Sequence, residues 1–136
     1  TVRDSLHSGI AYVPESRELD GLISTFTIAE NLILDLFDLA PNAKGPMLEL
    51  GYVSSNAEKQ VKEFDIRIQS VTDAVSSLSG GNKQKVVLAR ELSRPVRLLV
   101  AAQPTRGLDV GSIEFVHERI LAERDAGRAV LLFSTE

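Results

Sequence analysis

Short apolar runs alternate along the chain with stretches in which apolar residues recur every three or four positions. The runs at 10–13, 96–102 and 129–133 predict β-strands, and Pro14 stops the first of them. The run at 96–102 is apolar along almost its whole length, which is typical of a buried strand in a parallel sheet. The periodic stretches predict helices between the strands, so the pattern indicates an α/β fold.

The segment after the first strand contains a predicted helix with a broad apolar face. Thr27 and Glu30 fit a capping box, which places the start of the helix at Thr27. One stripe recurs at three- and four-residue steps and predicts a buried face, formed by Ile28, Leu32, Ile33, Leu36 and Phe37. Leu34 and Leu39 lie off this stripe. The extra apolar surface indicates either a wide stripe or a face that a partner protein covers.

Turn residues and caps predict the other connections and helices. The segments 15–22 and 41–52 predict loops, and 72–77 predicts a short helix or turn. A second helix is predicted from Ser55 to Phe64, with the serines at 54 and 55 as caps. The last helix ends near Gly127, and one of its faces holds Ile113, Val116, His117, Ile120 and Leu121, of which His117 is predicted to be only partly buried. We assign no ligand role to His117, because no second His or Cys shares its face.

Composition limits the classes of protein that fit this sequence. With 136 residues the chain forms one domain or less, and it has no apolar run long enough to span a bilayer. It contains no cysteine, which excludes disulfides and thiolate metal sites, and no metal site is predicted. The net charge of −4 disfavours a dedicated nucleic-acid surface. The mixed charges and the absent Met at the N-terminus indicate a piece of a longer chain.

The stretch Ser79-Gly80-Gly81 opens the predicted helix that runs to Leu92. A helix N-terminus carries unpaired N–H groups and a positive dipole end, which together bind phosphate. The two glycines let phosphate oxygens approach the main chain, and the Ser79 hydroxyl adds a donor or caps the helix. The alternative is an ordinary serine-capped helix that follows a glycine turn.

The longer string LSGGNKQKVVLAREL resembles the signature motif of ATP-binding cassette (ABC) ATPases. Its Asn-Lys-Gln-Lys continuation is similar to the second cassette of bacterial importer ATPases for simple sugars and for nucleosides, including importers that use lipoprotein receptors. The resemblance implies that this segment closes over the γ-phosphate of a nucleotide held by the phosphate loop of the opposing cassette. The residues that it places at this contact are Leu78, Ser79, Gly80, Gly81, Asn82 and Gln84.

Other segments resemble further parts of one cassette. Glu15 stands at the position of the usual glutamine of the Q-loop, and Asp109 at the D-loop aspartate. No phosphate-loop (Walker A) motif occurs in the sequence, and the family places that loop upstream of Gly9. The resemblance therefore implies a partial P-loop NTPase (RecA-like) core at 1–21 and 78–136, with an inserted ABC helical subdomain at 22–77.

Three positions depart from the pattern of the family in a way that changes their chemistry. The family ends its Walker B strand with Asp then Glu, where this chain has Ala102 and Gln103. Alanine offers no oxygen to a hydrated Mg²⁺, and a neutral amide cannot take a proton from water at pH 7. Thr135 stands where a histidine usually follows the last strand. We expect no intact catalytic residue here, and either natural degeneracy or an engineered change explains Gln103.

The resemblance implies a role within a larger ATPase. The parent would be an ABC importer ATPase for sugars or nucleosides, peripheral to the cytoplasmic face of the membrane and using ATP and Mg²⁺. Its partners would be the other cassette, the transmembrane permease subunits and, indirectly, an extracytoplasmic solute-binding protein, but no nucleic acid. This chain alone would bind ATP weakly and hydrolyse none. Two alternatives remain open, namely a non-catalytic module for dimerisation or permease docking and an ABC-type ATPase of DNA repair or chromosome architecture.

Overall fold

The computed structural model describes residues 1–135. Its α-helices are α1 (Val2–His7), α2 (Ile28–Asn31), α3 (Leu50–Glu63), α4 (Gly80–Leu92) and α5 (Val110–Asp125). Its strands are β1 (Ile10–Val13), β2 (Ala43–Lys44), β3 (Met47–Leu48), β4 (Leu98–Ala102) and β5 (Ala129–Phe133). A π-helical turn at Arg17–Gly21 and a 3₁₀ turn at Val75–Ser77 complete the regular structure. None of the helices within residues 1–135 is both long and apolar enough to cross a membrane.

A parallel three-stranded sheet forms the centre of the fold, in the order β1-β4-β5. Val100 of β4 lies opposite Tyr12 of β1 on one side and Leu131 of β5 on the other. The predicted α/β fold and the three predicted strands are thus confirmed. Because all three strands run the same way, their carboxyl ends meet at one edge, which is where α/β proteins bind ligands.

Helix α4 packs on this sheet and supplies much of the core. Val86, Val87, Leu88 and Ala89 have no exposed surface, and their neighbours in the core include the buried residues of β1 and β4. Burying a side chain of the size of Val or Leu contributes about 1.5–3 kcal/mol. Packing therefore fixes the middle of α4, and this buried part of the helix sets the positions of both helix ends.

Helix α2 is much shorter than the apolar stripe predicts. The capping box is present, because Thr27 Oγ1 accepts a hydrogen bond from Glu30 N at 3.1 Å and Glu30 Oε1 accepts one from Thr27 N at 2.9 Å. Beyond Asn31 the backbone continues through i→i+3 turns, with bonds such as the 2.9 Å bond from the amide of residue 36 to the carbonyl of residue 33. These tighter turns break the helical period, so Phe37 is 49% exposed instead of buried, and Leu39 is 39% exposed.

Helix α3 begins five residues earlier than predicted, at Leu50 instead of Ser55. Its N-cap is Glu49, which makes no side-chain capping bond, so the predicted serine cap is wrong. The Glu49 amide instead donates to the Asn42 carbonyl at 2.8 Å, across a β2–β3 hairpin that the sequence predicted as a loop. A tertiary hydrogen bond thus sets the start of this helix.

Two smaller predictions are also corrected. The segment 15–22, predicted as a loop, contains the π-helical turn, in which Ser16 Oγ accepts from Leu19 N at 3.2 Å. Helix α5 ends as predicted, and Gly127 has a φ of +89°. Its buried residues are Val116, Ile120 and Glu123, whereas His117 is exposed and Leu121 is 45% exposed. The buried face of α5 is therefore narrower than the sequence predicts.

A cluster of buried charges fixes the C-terminal end of α4. The Glu91 carboxyl accepts a hydrogen bond from Tyr12 N at 3.0 Å and lies 3.3 Å from Arg94 and 3.5 Å from Arg90. Asp35 lies 3.3 Å from the same Arg94. Burial, reinforced by the neighbouring Asp35 and opposed by Arg90, raises the pKa of Glu91 to about 7. This cluster ties α4 to β1 and to the segment after α2.

Candidate functional site

The N-terminal end of α4 is open to solvent and has hydrogen-bond donors to offer. Ser79 is the exposed N-cap, and its Oγ accepts hydrogen bonds from Asn82 N at 3.3 Å and Asn82 Nδ2 at 3.1 Å. Lys83 N donates to the Ser79 carbonyl at 2.9 Å. By helix geometry, the N–H groups of Gly80 and Gly81 have no acceptor within the helix. This end therefore presents free amides at the positive end of the helix dipole.

Both glycines of the motif lie where a side chain would meet a neighbouring segment. A Cβ added at Gly81 would collide with the Ser112 hydroxyl of α5 and would lie 3.0 Å from Ser112 Cβ. A Cβ at Gly80 would lie 3.0 Å from Nη2 of Arg17. The sequence explained the glycines by the approach of a ligand, and the structure adds close packing of the helix end against two other segments.

Asn82 and Gln84 hold this helix end to its surroundings. Asn82 Oδ1 accepts a hydrogen bond from Arg67 N at 3.0 Å. Gln84 is only 1% exposed, and its Nε2 donates to the Pro104 carbonyl at 2.7 Å. The resemblance placed Gln84 at the nucleotide contact, but its buried side chain instead connects α4 to the turn after β4. Gln84 thus lies away from the exposed end of α4, and its nucleotide contact stays a prediction.

The segment 15–21 makes two ion pairs with the motifs around it. Glu15 pairs with Arg106 at 2.6 Å, and Glu18 pairs with Lys83 of α4 at 2.8 Å. Both members of the first pair are more than half exposed, so this pair stabilises the fold little. Glu15, at the Q-loop position, therefore lies at the surface beside the turn that follows β4.

Asp109, at the D-loop position, caps α5. Its Oδ1 accepts a hydrogen bond from Ser112 N at 3.0 Å, and hydrogen bonds from Ser112 hold the pKa of Asp109 below its ordinary value. An open cleft of about 480 Å³ runs between this cap and the start of α4, and Ser79, Asn82 and Lys85 line its other side. The structure thus brings the Asp109 cap and Ser79 to one cleft.

The carboxyl edge of β4 and β5 holds Ala102 and Gln103, the two positions that depart from the family's Asp and Glu. Ala102 pairs with Phe133 in the sheet, and Gln103 follows with a φ of +49°. Gln103 Oε1 accepts hydrogen bonds from Thr135 N at 3.1 Å and from Thr135 Oγ1 at 3.3 Å. We call this contact the Gln103–Thr135 clasp. Two of the positions that depart from the family pattern therefore bind each other.

The chemistry of this edge does not fit a magnesium ion. Neither Ala102 nor Gln103 carries a carboxylate, and the amide oxygen of Gln103 already accepts from Thr135. Residues 1–135 contain no group of three or more His, Cys, Asp and Glu side chains that could hold a metal ion. We therefore derive no step in which these residues bind Mg²⁺.

Sequence reasoning missed three residues that contact the motifs. Arg17 lies beside Gly80, Ser112 packs on Gly81, and Arg106 pairs with Glu15. Arg17 lies two positions after Glu15 and Arg106 three positions before Asp109, so their nearness to the motif residues was a usable signal. Ser112 gives no such signal, because its contact with Gly81 joins two helices 31 positions apart in the chain.

Comparisons with known proteins agree with this geometry. A family model described as "ABC transporter" matches residues 1–106. The nucleoside import ATP-binding protein NupA of Lactococcus lactis subsp. cremoris is 43% identical over 134 residues, covering 98% of this chain and 26% of that protein. The guanosine import ATP-binding protein NupO of Bacillus subtilis is 43% identical over 136 residues, covering all of this chain and 27% of that protein. This chain thus spans about a quarter of the length of these relatives.

A solved structure shares the fold. The ATP-binding cassette MJ0796, solved as a dimer in a post-hydrolysis state with ADP and Pi, superposes with a TM-score of 0.71 over 93% of this chain and 52% of that one. The sequences are 23% identical, so this likeness shows the fold alone. The family model matches residues 1–106, and this chain is 43% identical to both import ATP-binding proteins. These matches show that the chain belongs to the ABC transporter family.

Proposed function

We propose that this chain is part of the ATP-binding subunit of an ABC importer for sugars or nucleosides. In this proposal the Ser79-Gly80-Gly81 end of α4 closes over ATP that is held by the phosphate loop of the other cassette. The observation that carries the proposal is the open end of α4, where the amides of Gly80 and Gly81 have no acceptor within the helix. The names of the relatives, which are nucleoside and guanosine import ATP-binding proteins, support import as the task.

The donor set at this end suits a terminal phosphate. Phosphate oxygens accept several hydrogen bonds, and Ser79 Oγ with the two glycine amides offers donors from one side. ATP bound there would supply the phosphoryl group that is hydrolysed, and these donors would stabilise the charge that develops on its oxygens. Because the helix core is buried, the donors are held in place before ATP arrives. Mg²⁺ would be held by residues of the other cassette.

The nucleotide site of this cassette itself would hydrolyse ATP poorly. Gln103 carries no proton-accepting carboxylate, and Ala102 offers no oxygen to a metal shell. The Gln103–Thr135 clasp also occupies the amide oxygen that a water molecule would use. The proposed importer is therefore asymmetric, with one competent site that this chain completes in trans.

The partners follow from this arrangement. The parent would act at the cytoplasmic face of the membrane with the other cassette and the permease subunits, and indirectly with an extracytoplasmic solute-binding protein. Residues 1–21 and 78–136 would form part of the ATPase core, and residues 22–77 the helical subdomain that faces the permease. The apolar side chains of Phe37 and Leu39, which are 49% and 39% exposed, would lie in that subdomain.

The test uses the whole subunit assembled with its permease in liposomes. We expect Ser79→Arg to lower ATP turnover by more than about 100-fold, because the guanidinium fills the phosphate position. Gln103→Ala should leave turnover within about twofold, since Gln103 activates no water. Ser5→Arg, on the exposed side of α1 and outside the subdomain that faces the permease, is the matched control and should behave like the wild type. Equal loss of turnover in Ser79→Arg and Gln103→Ala would contradict the asymmetric proposal.

A second candidate is a non-catalytic module for dimerisation or permease docking. The Gln103–Thr135 clasp favours it as a description of this chain alone, since the polar groups at the sheet edge bind each other. Titrating the isolated chain with Mg-ATP should give neither tight binding nor turnover. If Ser79→Arg in the whole subunit also leaves turnover unchanged, this second candidate replaces the first.

A further inference from the structure

The guanidinium of Arg17 lies between three segments of the proposed site. Arg17 begins the π-helical turn, and its Nη1 donates a hydrogen bond to the Arg106 carbonyl at 3.2 Å. Its Nη2 lies 3.0 Å from the position of a Cβ on Gly80 and 3.7 Å from that of a Cβ on Gly107. One side chain therefore contacts the segment 15–21, the start of α4 and the turn that follows β4.

This guanidinium makes no ion pair, in contrast to its neighbours. Glu15 and Glu18, on either side of it in the chain, pair with Arg106 and Lys83. No carboxylate lies within 4.0 Å of Arg17 among residues 1–135, and its buried Nε has no hydrogen-bond partner there. A half-buried arginine normally pairs with a carboxylate, because an unmatched donor inside the protein costs free energy. Arg17 instead contacts backbone, at the Arg106 carbonyl and beside Gly80 and Gly107.

The planar shape of the group explains what it can hold. Gly80 and Gly107 both lack a side chain where the guanidinium lies, so the plane fits between two stretches of backbone. A lysine ammonium is a compact group without such a plane, so it does not reproduce the flat contact with Gly80 and the hydrogen bond to the Arg106 carbonyl from one rigid group. The contact therefore depends on arginine and not on positive charge alone.

We propose that Arg17 is a positioning residue that fixes the signature end of α4 relative to the turn that leads into the D-loop. This inference rests on the proposed function, in which the Ser79-Gly80-Gly81 end of α4 faces the nucleotide of the other cassette. Arg17 acts through Gly80 and the Arg106 carbonyl and does not touch the nucleotide. Without Arg17 the Ser79 hydroxyl and the two glycine amides are still present, but their positions are less fixed. A small displacement of these donors lowers the rate of a reaction that depends on their preorganisation.

The effect should therefore appear in kcat and not in KM. In the whole subunit with its permease in liposomes, Arg17→Gln is expected to lower kcat for ATP between about 10- and 100-fold, with KM within about twofold. Arg17→Lys, which keeps the charge and most of the apolar stem, should also lower kcat by at least about fivefold. Arg124→Gln, an exposed arginine paired with Asp125 on α5, is the matched control and should leave both constants unchanged. Wild-type kcat in both Arg17 variants would overturn the inference.

A double-mutant cycle tests whether Arg17 acts through Gly80. Gly80→Ala places a methyl group against the guanidinium and should lower kcat in the wild-type background. In an Arg17→Ala background the same change should cost at least about threefold less, because the neighbour has been removed. Independent effects would overturn the inference. Ser79→Arg is run in parallel, so that loss of turnover there with unchanged Arg17 variants rejects the role of Arg17 while the proposed function stands.

Discussion

The signature end of α4 (residues 79–81) and the carboxyl edge of β4 and β5 belong to one fold, but the hydrogen bonding of their polar groups differs. At the signature end, Ser79 is exposed and the amides of Gly80 and Gly81 have no acceptor within the helix. At the sheet edge, Gln103 and Thr135 bind each other. The difference teaches that the N-terminal end of α4 leaves its donors available to a ligand, whereas the sheet edge satisfies its own hydrogen bonds.

After Ser79→Arg, the largest effect is expected from a methyl group at the signature end of α4. A Cβ in Gly81→Ala collides with the Ser112 hydroxyl, which can rotate away, and lies 3.0 Å from Ser112 Cβ, which cannot, so the start of α4 and α5 must shift slightly apart. We expect turnover of the whole subunit to fall about 100-fold and the free energy of unfolding of this chain to fall by about 1–3 kcal/mol. ATP hydrolysis and urea denaturation measure the two effects.

Gly111→Ala is the matched control for this change. Gly111 lies at the start of α5 with nothing within 4 Å of its Cβ position, so alanine fits there. It should leave turnover unchanged and stabilise the helix by up to about 1 kcal/mol. If Gly81→Ala behaves like Gly111→Ala, the signature end does not depend on its contact with α5, and the contrast between the two regions loses its structural basis.

A smaller effect is expected from Glu91, at the opposite end of α4. The folded-state pKa of about 7 exceeds the ordinary value of 4.5, so the folded protein keeps a proton that the unfolded chain has lost. The contribution of this proton to the free energy of unfolding is complete below pH 4.5. It is lost as the pH rises to about 7, at up to about 1.4 kcal/mol per pH unit. Glu91→Gln should remove this slope. Urea denaturation between pH 4.5 and 7.5 measures it, and an equal slope in the variant would contradict the shifted pKa.

Sequence patterns predicted the elements that depend on local signals. The strands follow from apolar runs, the α2 start from the Thr27–Glu30 box, and the end of α5 from Gly127. The sequence failed where a hydrogen bond to a residue outside the helix decides the outcome. The Asn42 carbonyl sets the start of α3 by accepting from Glu49 N, and the Pro104 carbonyl draws Gln84 into the core. No local pattern contains such a partner, so these outcomes needed the structure.

The same limit applies to the candidate site. The motif residues Ser79 and Asp109 were identified from sequence, and the structure places them at one cleft. The contacts that hold them, from Arg17 to Gly80 and from Ser112 to Gly81, join segments that are far apart in the chain. The sequence therefore identified which residues to examine, whereas their mutual support became visible only in three dimensions.

The smallest effect is expected at the sheet edge. Gln103→Ala removes the Gln103–Thr135 clasp, but both partners lie near the surface, where water replaces the lost hydrogen bonds. We expect the free energy of unfolding to fall by less than about 1 kcal/mol, as measured by urea denaturation of this chain. Thr135→Val removes only the 3.3 Å bond from the hydroxyl and keeps the bond from the amide, so its effect should be smaller still. A loss above about 2 kcal/mol in Gln103→Ala would mean that the clasp supports the sheet, and stability would then be a reason for Gln103 and Thr135 at this edge.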